Sequence, residues 1–194
     1  MIHYELSKIN VVANGEVPRI SAQWENVMSM CSERGLSEIE RARLAFNMVD
    51  YITSEDLPLR LLITRAPQVM AKIAEETKVH REIRKINSKN GTFYSRSKLI
   101  LPNELEYRSS YSARRIINGT AKALSSRNLL NCLEKGDTVT TIDGILFLGL
   151  KRIASDIAKI KAKNSDLSID MKRIEVFDSF NKKKYKTASY TLSR

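Results

Sequence analysis

The 194-residue sequence has few of the residues that build metal sites, disulfides or membrane spans. Its two cysteines, Cys31 and Cys132, lie far apart, and His3 and His80 have no metal-ligand spacing to either of them. No apolar run reaches the roughly 18 residues of a membrane span, and the first residues lack the basic-then-apolar order of a signal peptide. We therefore expect no metal, no other cofactor, and a protein that is made and kept in a cytosol.

Sequence motifs of common enzymes are also missing. There is no phosphate-binding G-x-x-x-x-G-K-S/T loop, no G-x-G-x-x-G, no H-E-x-x-H and no G-x-S-x-G. Neighbouring carboxylates such as Glu75 and Glu76 lie in highly charged segments, which are typical of solvated helix surfaces. The sequence therefore favours a protein that is not an enzyme.

Positive charge is in excess, with 33 Lys and Arg against 22 Asp and Glu and a net charge of +11. The distribution is uneven, because residues 1–60 carry −3, residues 61–100 carry +6 and the remaining residues carry +8. A positive field of this kind attracts phosphate, either on nucleic acid or on an anionic membrane. The composition favours binding to an anionic partner, and a surface whose charge is only solubilising is the alternative.

Helical signals run through most of the chain. Apolar residues recur at helical spacing before Gly35, and the segment 37–40, Ser-Glu-Ile-Glu, has the S-x-x-E form of a capping box. The segment 53–56, Thr-Ser-Glu-Asp, supplies another helix start, and Pro67 suits the first turn of the following helix. These signals predict an all-α protein with two helical lobes, a short N-terminal strand or arm, and a basic C-terminal tail.

We predict an N-terminal lobe at 1–91, an extended or irregular connection at 92–109, and a C-terminal lobe with its basic tail at 110–194. The last segment, from Ser168, allows either a hairpin or a helix followed by a tail. No sequence repeat is evident at this level.

The segment KVHREIRKINSKNG, residues 78–91, predicts an amphipathic helix with Val79, Ile83 and Ile86 on its apolar face. Its basic side chains would then project away from the core and contact phosphates of lipid or nucleic acid. Further basic clusters follow along the chain. The candidate lipid- or nucleic-acid-binding residues are Lys78, Arg81, Arg84, Lys85, Lys89, Arg114, Arg115, Lys182, Lys183 and Lys184.

The segment KGDTVTTIDGILFLG, residues 135–149, allows two structures. Asp143 and Gly144 between β-branched runs are a hairpin signal, which would make this segment the wing of a winged helix over residues 120–149. Alternatively, Thr141 caps a long helix, because an apolar stripe continues at spacings of three and four as far as Ile160. We favour a helix from about Thr141 to Lys163, since a hairpin would break this stripe.

A helix-turn-helix fits poorly at the two segments that most resemble one. In residues 69–86, placing Ala71 at the small position of the turn puts Glu75 where glycine is favoured and Glu76 where an apolar side chain should be buried. In residues 120–136, Ser126 occupies a position that should be buried. These segments are better interpreted as ordinary packed helices.

Four short sequence motifs occur in the order SERGL (32–36), REIRK (81–85), SYSA (110–113) and VTT (139–141). The last leads into a predicted helix of small and apolar residues. In this order they resemble landmarks of orthomyxovirus matrix proteins of the influenza type, over roughly residues 32–160. The resemblance implies an all-helical, self-associating structural protein that forms a layer under a viral envelope.

By the same resemblance, Arg81, Arg84 and Lys85 match the family's basic patch for lipid, ribonucleoprotein or nuclear-import contacts. The implied partners are anionic membrane lipids, viral ribonucleoprotein or RNA, and further copies of the chain. The implied location is the inner face of the virion envelope and the host cytoplasm, with the nucleus as a further compartment. The Cys/His cluster of the family has no counterpart around Cys132, so no metal role carries over. The alternative function is a nucleic-acid-binding transcriptional regulator with its winged helix at 120–149.

Overall fold

The computed structural model describes residues 1–5, 9–111, 114–178 and 182–193. The chain divides into two compact units. Ile9–Ser110 form the first unit, and Met1–Lys8 together with Tyr111–Arg194 form the second unit. The polypeptide therefore starts in the second unit with strand β1 (Ile2–Glu5), builds the whole first unit, and then returns.

The first unit combines helices with one sheet. Its elements are β2 (Ile9–Asn14), α1 (Pro18–Arg34), α2 (Glu38–Met48), β3 (Tyr51–Thr53), α3 (Asp56–Leu61), α4 (Ala66–Glu76), β4 (His80–Ile86), β5 (Lys89–Ser95) and β6 (Glu104–Tyr111). Trp24, Phe46 and Phe93 are among its largest fully buried side chains and mark its core.

Local sequence sets several helix ends in this unit, as predicted. Gly35 adopts a left-handed φ of 62° and ends α1. The capping box that starts α2 is present, with the backbone N–H of Ser37 donating to Glu40 Oε2 at 2.8 Å. Pro67 lies in the first turn of α4, where its missing N–H costs no helical hydrogen bond.

The sheet of the first unit has the strand order β2-β6-β4-β5-β3. Strands β4 and β5 form an antiparallel hairpin that closes at the pair Ile86 and Lys89. Its two turn residues, Asn87 and Ser88, have φ of 50° and 61°, the conformation whose twist suits a two-residue hairpin. The short β3 pairs antiparallel with β5, and β6 lies parallel to β4.

The second unit also combines helices with one sheet. Its remaining elements are β7 (Arg114–Ile117), β8 (Thr120–Ala121), α5 (Leu129–Glu134), β9 (Val139–Thr140), α6 (Thr141–Leu148), α7 (Ile153–Lys163), β10 (Ile169–Asp178) and β11 (Lys183–Leu192). The strand order is β8-β7-β1-β10-β11-β9. Leu129, Leu133, Val139, Ile153 and Ile157 are part of its buried core.

Both units contain the same succession of elements. A helix is followed by a short strand, then by two helices, and then by a hairpin whose second strand pairs with the short strand. These elements are α2, β3, α3, α4, β4 and β5 in the first unit, and α5, β9, α6, α7, β10 and β11 in the second. In both units the first hairpin strand also has a parallel neighbour, β6 or β1. This order and pairing define a winged helix-turn-helix, with the hairpin as the wing.

The prediction of an all-α protein is therefore wrong, as is the all-helical fold that the resemblance to matrix proteins implies. Residues 78–89 do not form a basic helix but lead into and build most of the β4–β5 hairpin. Exposure alternates along β4 with the period of two that a strand requires. Apolar residues at 79, 83 and 86 fit a helix as well, so pairing with β5 and its buried Phe93 and Tyr94 decides the structure.

At Asp143 and Gly144 the favoured helix is confirmed and the hairpin is wrong, because both residues lie inside α6. The N-cap is Thr140, one residue before the predicted Thr141. Gly144 allows close packing, since an added Cβ would lie 3.4 Å from the Ile153 side chain of α7.

The continuous helix from Thr141 to Lys163 is wrong. Gly149 adopts a left-handed φ of 65° and ends α6, and α7 begins only at Ile153. The apolar stripe continues across this interruption because both helices face the same core. Of the two structures left open for the C-terminal segment, the hairpin is the one observed, as β10 and β11.

Candidate nucleic-acid interface

The helix-turn-helix segments of the two units align without a gap at an offset of 87 residues. Residues 53–76 and 140–163 have the same amino acid at eight of 24 positions. The identical pairs are Thr53/Thr140, Asp56/Asp143, Leu59/Leu146, Leu61/Leu148, Arg65/Arg152, Ala71/Ala158, Lys72/Lys159 and Ile73/Ile160. The expectation that the chain has no sequence repeat is therefore wrong.

The turn between the two helices is the same in both units. It covers residues 62–65 in the first unit and 149–152 in the second. Each turn starts with a left-handed residue, Leu62 with φ 52° and Gly149 with φ 65°. The next backbone N–H bonds back to the carbonyl six residues earlier, from Ile63 to Leu57 at 2.9 Å and from Leu150 to Gly144 at 2.7 Å. This pattern ends the first helix of each pair in the same way.

The second helix of each pair presents a solvent-facing surface. Arg65 and Arg152 occupy the N-cap positions of α4 and α7, and both are exposed. Lys72 and Lys159 are exposed at corresponding positions, two turns into the helix. The opposite face of each helix is buried in the core and contains residues such as Met70 and Ile157. Each helix is therefore held by an apolar face and displays an arginine and a lysine at matching places.

Exposed residues between these cations differ between the units. Gln68 of α4 corresponds to Ser155 of α7, while Ala71 and Ala158 are the same. At the helix ends, Glu76 of α4 corresponds to Lys163 of α7. The two helices therefore present different side chains at matching positions.

Most of the predicted site residues of the first unit lie on its wing. Lys78 is exposed just before β4, Arg81 and Lys85 are exposed on β4, and Lys89 is exposed at the start of β5. Arg84 is half-buried, because Nη1 donates to Asn103 Oδ1 at 3.3 Å and the guanidinium pairs with Glu82. The structure thus brings these residues together on a hairpin rather than on a helix.

The predicted site residues of the second unit separate into two environments. Lys182 is exposed at the turn of the β10–β11 wing, and Lys184 on β11 is exposed with Nζ 3.4 Å from Glu175 Oε2. Arg115 is buried on β7 and is not part of the surface. The side chains of Arg114 and Lys183 lie outside the described residues.

A buried polar network holds the start of the first helix in each helix-turn-helix. In the second unit, Arg115 Nε lies 3.4 Å from Asp143 Oδ1, and both side chains are almost fully buried. Burial raises the pKa of Asp143, although the Arg115 cation acts in the opposite direction. In the first unit, Arg60 Nε donates to Asp56 Oδ1 at 2.8 Å and Nη2 contacts Glu16 Oε2 at 2.9 Å.

The sequence reasoning missed the exposed basic residues on the second helix of each pair, namely Arg65, Lys72, Arg152 and Lys159. The two segments tested as helix-turn-helix motifs, 69–86 and 120–136, are out of register with the observed pairs at 56–76 and 141–163. The signal that would have found them is the repeated pattern T-x-x-D-x-x-L-x-L-x-x-x-R at an offset of 87 residues.

Net charge is distributed unequally between the units. The first unit has 15 basic and 13 acidic residues, a net charge of +2, and the second has 18 and 9, a net charge of +9. Within the described residues, no group of three or more His, Cys, Asp or Glu side chains could hold a metal ion. No helix in the same ranges is long and apolar enough to cross a bilayer.

Comparisons with known proteins assign no family to this chain. No protein-family model, no curated protein and no solved structure matches it.

Proposed function

We propose that this protein binds duplex DNA in a sequence-dependent way through two winged helix-turn-helix units. The observation that carries this proposal is the gap-free repeat of 53–76 in 140–163, with exposed arginines and lysines at matching positions. Packing alone would conserve the buried residues of such a pair. It would not place a cation at the same two solvent-facing positions.

Helices α4 and α7 have the surface that a major groove accepts. In a helix-turn-helix the second helix enters the groove with its N-terminal residues against the base edges. Arg65 and Arg152 lie at those N-termini, where a guanidinium reaches phosphates or the O6 and N7 of guanine. Gln68, one turn further, has an amide that can pair with N6 and N7 of adenine. Ala71 and Ala158 offer a methyl group to thymine.

The two wings supply additional cations. Lys85 and Lys89 flank the turn of the first wing, and Lys182 and Lys184 lie at the turn and on the second strand of the second wing. Lysines at these places neutralise phosphates without reading bases, which increases affinity and makes it depend on salt. Among the residues first predicted from charge alone, these wing lysines would contribute affinity rather than base recognition.

The test is a titration of fluorescent duplex DNA with the full chain and two double variants. Arg65→Glu with Lys72→Glu, and Arg152→Glu with Lys159→Glu, should each weaken binding at least tenfold and reduce the salt slope by about 0.9 for each phosphate that is no longer neutralised. Arg34→Glu with Lys122→Glu is the matched control, because both residues are exposed and lie outside the recognition helices. Equally weakened binding in the control, or tighter binding of single-stranded RNA than of duplex, would contradict the proposal.

A matrix-type role remains a second proposal, and one observation favours it. On β4, Ile83 is 61% exposed and shares its face with the exposed Arg81 and Lys85. An exposed apolar residue between cations suits the interface of an anionic membrane, where both parts find favourable surroundings. Flotation with phosphatidylserine vesicles, abolished in Ile83→Ser and in Arg81→Glu but unaffected by Arg152→Glu with Lys159→Glu, would support that role. Flotation that depends on neither change on β4 would refute it.

A further inference from the structure

Each unit contains a tyrosine on the strand that runs parallel to its wing; this tyrosine is half-buried in the first unit and fully buried in the second. In the first unit this is Tyr107 of β6, whose hydroxyl lies 2.8 Å from Thr53 Oγ1. Thr53 is the last residue of β3, and its hydroxyl also accepts from the backbone N–H of Asp56 at 3.1 Å. The Asp56 carboxylate accepts in return from the backbone N–H of Thr53 at 2.8 Å. The tyrosine thus joins a reciprocal Thr53–Asp56 pair that has the hydrogen bonds of a capping box and precedes α3, whose N-cap residue is Glu55.

The second unit contains the same arrangement. Tyr4 of β1 lies 2.6 Å from Thr140 Oγ1, and Thr140 is the last residue of β9. Thr140 and Asp143 form the reciprocal pair at the start of α6, at 3.0 and 2.9 Å. Thr140 and Asp143 are the residues 87 positions after Thr53 and Asp56, whereas the two tyrosines lie in unrelated parts of the sequence.

The carboxylate of each box also acts on its tyrosine. Burial is the main reason why the pKa of each tyrosine is well above its ordinary value, and the negative charge of Asp143 on Tyr4 and of Asp56 on Tyr107 raises it further. Each phenol therefore stays protonated, and it shares one hydrogen bond with the threonine hydroxyl of its unit.

The arginine of each network comes from a different place. Arg60 belongs to α3 itself and lies four residues after Asp56, whereas Arg115 reaches Asp143 from β7. A capping box itself needs only a threonine or serine and the acidic residue three positions later. The same tyrosine and arginine chemistry has therefore been assembled twice, from different chain positions, each time beside the first helix of a helix-turn-helix.

The geometry indicates what this chemistry does. Each tyrosine belongs to a strand paired with the first wing strand, through the pairs β6 with β4 and β1 with β10. Its hydroxyl holds the first helix of the pair at its capping box, so the wing and the recognition helix of one unit are fixed against the same buried point. A helix and a wing that contact one duplex together must keep a defined angle to each other.

We infer that Tyr107 and Tyr4, acting through the boxes Thr53/Asp56 and Thr140/Asp143, are positioning residues that hold each helix-turn-helix at a defined angle to its wing and so set sequence discrimination. This inference rests on the proposed DNA-binding function. Because each tyrosine hydroxyl is engaged by a threonine of its own unit, we expect it to affect the difference between the correct and an arbitrary duplex rather than the affinity for phosphate.

The experiment compares Tyr4→Phe with Tyr190→Phe in the full chain. Tyr190 is the matched control, because it is a buried tyrosine of the same unit that lies in the apolar core. Two duplexes are used, one selected by the wild-type protein from a randomised pool and one unselected duplex of equal length. Tyr4→Phe should reduce the affinity ratio of selected to unselected duplex on the order of tenfold, the size of one base-pair mismatch, with affinity for the unselected duplex nearly unchanged. Tyr190→Phe should leave the ratio unchanged.

A second measurement does not need DNA. Amide hydrogen exchange of the free protein should become faster in α6 and α7 of Tyr4→Phe, but not in α5. Thr140→Ser, which keeps the hydroxyl, should behave as wild type in both assays, and Thr140→Val should behave like Tyr4→Phe. Tyr107→Phe should give the corresponding result in α3 and α4.

The outcomes separate this inference from the proposed function. If Tyr4→Phe lowers the melting temperature but leaves the affinity ratio unchanged, the network is only stabilising and the inference is overturned. If the wild-type protein selects no sequence, the proposed function fails and the role in discrimination fails with it. Hydrogen exchange then shows whether the angle of the helix-turn-helix still depends on the tyrosine, and unchanged exchange overturns that part too.

Discussion

Helices α4 and α7 occupy the same place in their units but end in opposite charges. Over the last three residues, α4 has Ala-Glu-Glu where α7 has Lys-Ala-Lys. Glu76 of α4 is held by Arg43 of α2 through two hydrogen bonds of 2.9 and 2.7 Å, and its partner hydrogen bonds lower its pKa. The same arrangement of elements thus accepts a helix that carries basic residues at both ends, as in α7, and one whose end is acidic, as in α4.

The buried arginines differ in a similar way. Arg60 contacts two carboxylates and lies 4.9 Å from the centre of the Trp24 ring. Arg115 pairs with Asp143 at 3.4 Å, acts at longer range on Asp137, and donates to the carbonyl of Thr138. Arg115 Nε and Asp143 Oδ1 have no hydrogen-bond partner in the described part of the chain. Two helix-turn-helix pairs with the same turn therefore rest on a well-paired cation in the first unit and on a looser pair in the second.

Removing the two arginines should give the largest effect. Arg60→Met leaves Asp56 and Glu16 buried without their cation and should cost about 3–5 kcal/mol of unfolding free energy in urea. Arg115→Met should cost less, because its pair is longer and already incomplete. Arg43→Met, which breaks an exposed pair, is the control and should change stability little. If Arg115→Met destabilises the protein more than Arg60→Met does, the pair in the second unit is not the looser one.

Exchanging the ends of the recognition helices tests whether charge explains their difference. Lys161→Glu with Lys163→Glu should weaken duplex binding about tenfold and lower the salt slope by about 1.8 if both lysines contact phosphate. Giving α4 the sequence of α7, with Ala74→Lys, Glu75→Ala and Glu76→Lys, should strengthen binding and steepen the slope. Anisotropy titrations at several salt concentrations measure both quantities. Unchanged slopes in both variants would show that the helix ends do not approach the duplex.

The pH dependence of stability should differ between variants of the second unit. Because burial raises the pKa of Asp143, folding favours its protonated form. The protonated Asp143 side chain therefore contributes stability at pH values below the pKa it has in the unfolded chain. This contribution is lost as the pH rises through the pKa it has in the folded protein. Asp143→Asn should flatten the decrease in unfolding free energy across that window, measured by urea unfolding at a series of pH values. Asp166→Asn, at an exposed position in the same unit, should not flatten it.

The smallest effect concerns the two cysteines. Burial raises the pKa of Cys31 to about 11, so almost no thiolate exists at pH 8 in the folded first unit. The pKa of Cys132 is also raised by burial, and its Sγ donates to the carbonyl of Ser126 at 3.1 Å. Neither thiol should react with iodoacetamide on the timescale of a model thiol until its unit unfolds. Single Cys→Ser variants followed by mass spectrometry assign each reaction, and rapid labelling of the native protein would contradict the burial of that site.

Helix ends were the most predictable part of the fold, because short-range chemistry decides them. The ends at Gly35, Ser37 and Pro67 depend on residues within one turn of the boundary. The start of α6 was predicted one residue late, since Thr140 and Thr141 are both acceptable caps and only the hydrogen bond from Asp143 distinguishes them. Its end at Gly149 was missed because the apolar stripe extends across the turn.

Strands and the candidate site were less predictable, because they depend on distant residues. The apolar residues of 78–89 fit two periods, and the partner strand β5 selects one of them. The arginines and lysines of the recognition helices stand singly among neutral residues, so a search for basic clusters passes over them. Their matching positions can be identified once the two units are aligned, although the repeat itself is present in the sequence.

The sequence by itself determined the positive charge, several helix starts and stops, and the helix across Asp143 and Gly144. These properties follow from composition and from contacts within a few residues. The tertiary structure decided the two sheets, the burial of Arg115, and the use of Tyr4 and Tyr107 at two matching caps. Each of these joins residues that are distant in the chain, and local propensity does not specify which distant strand or side chain will be the partner.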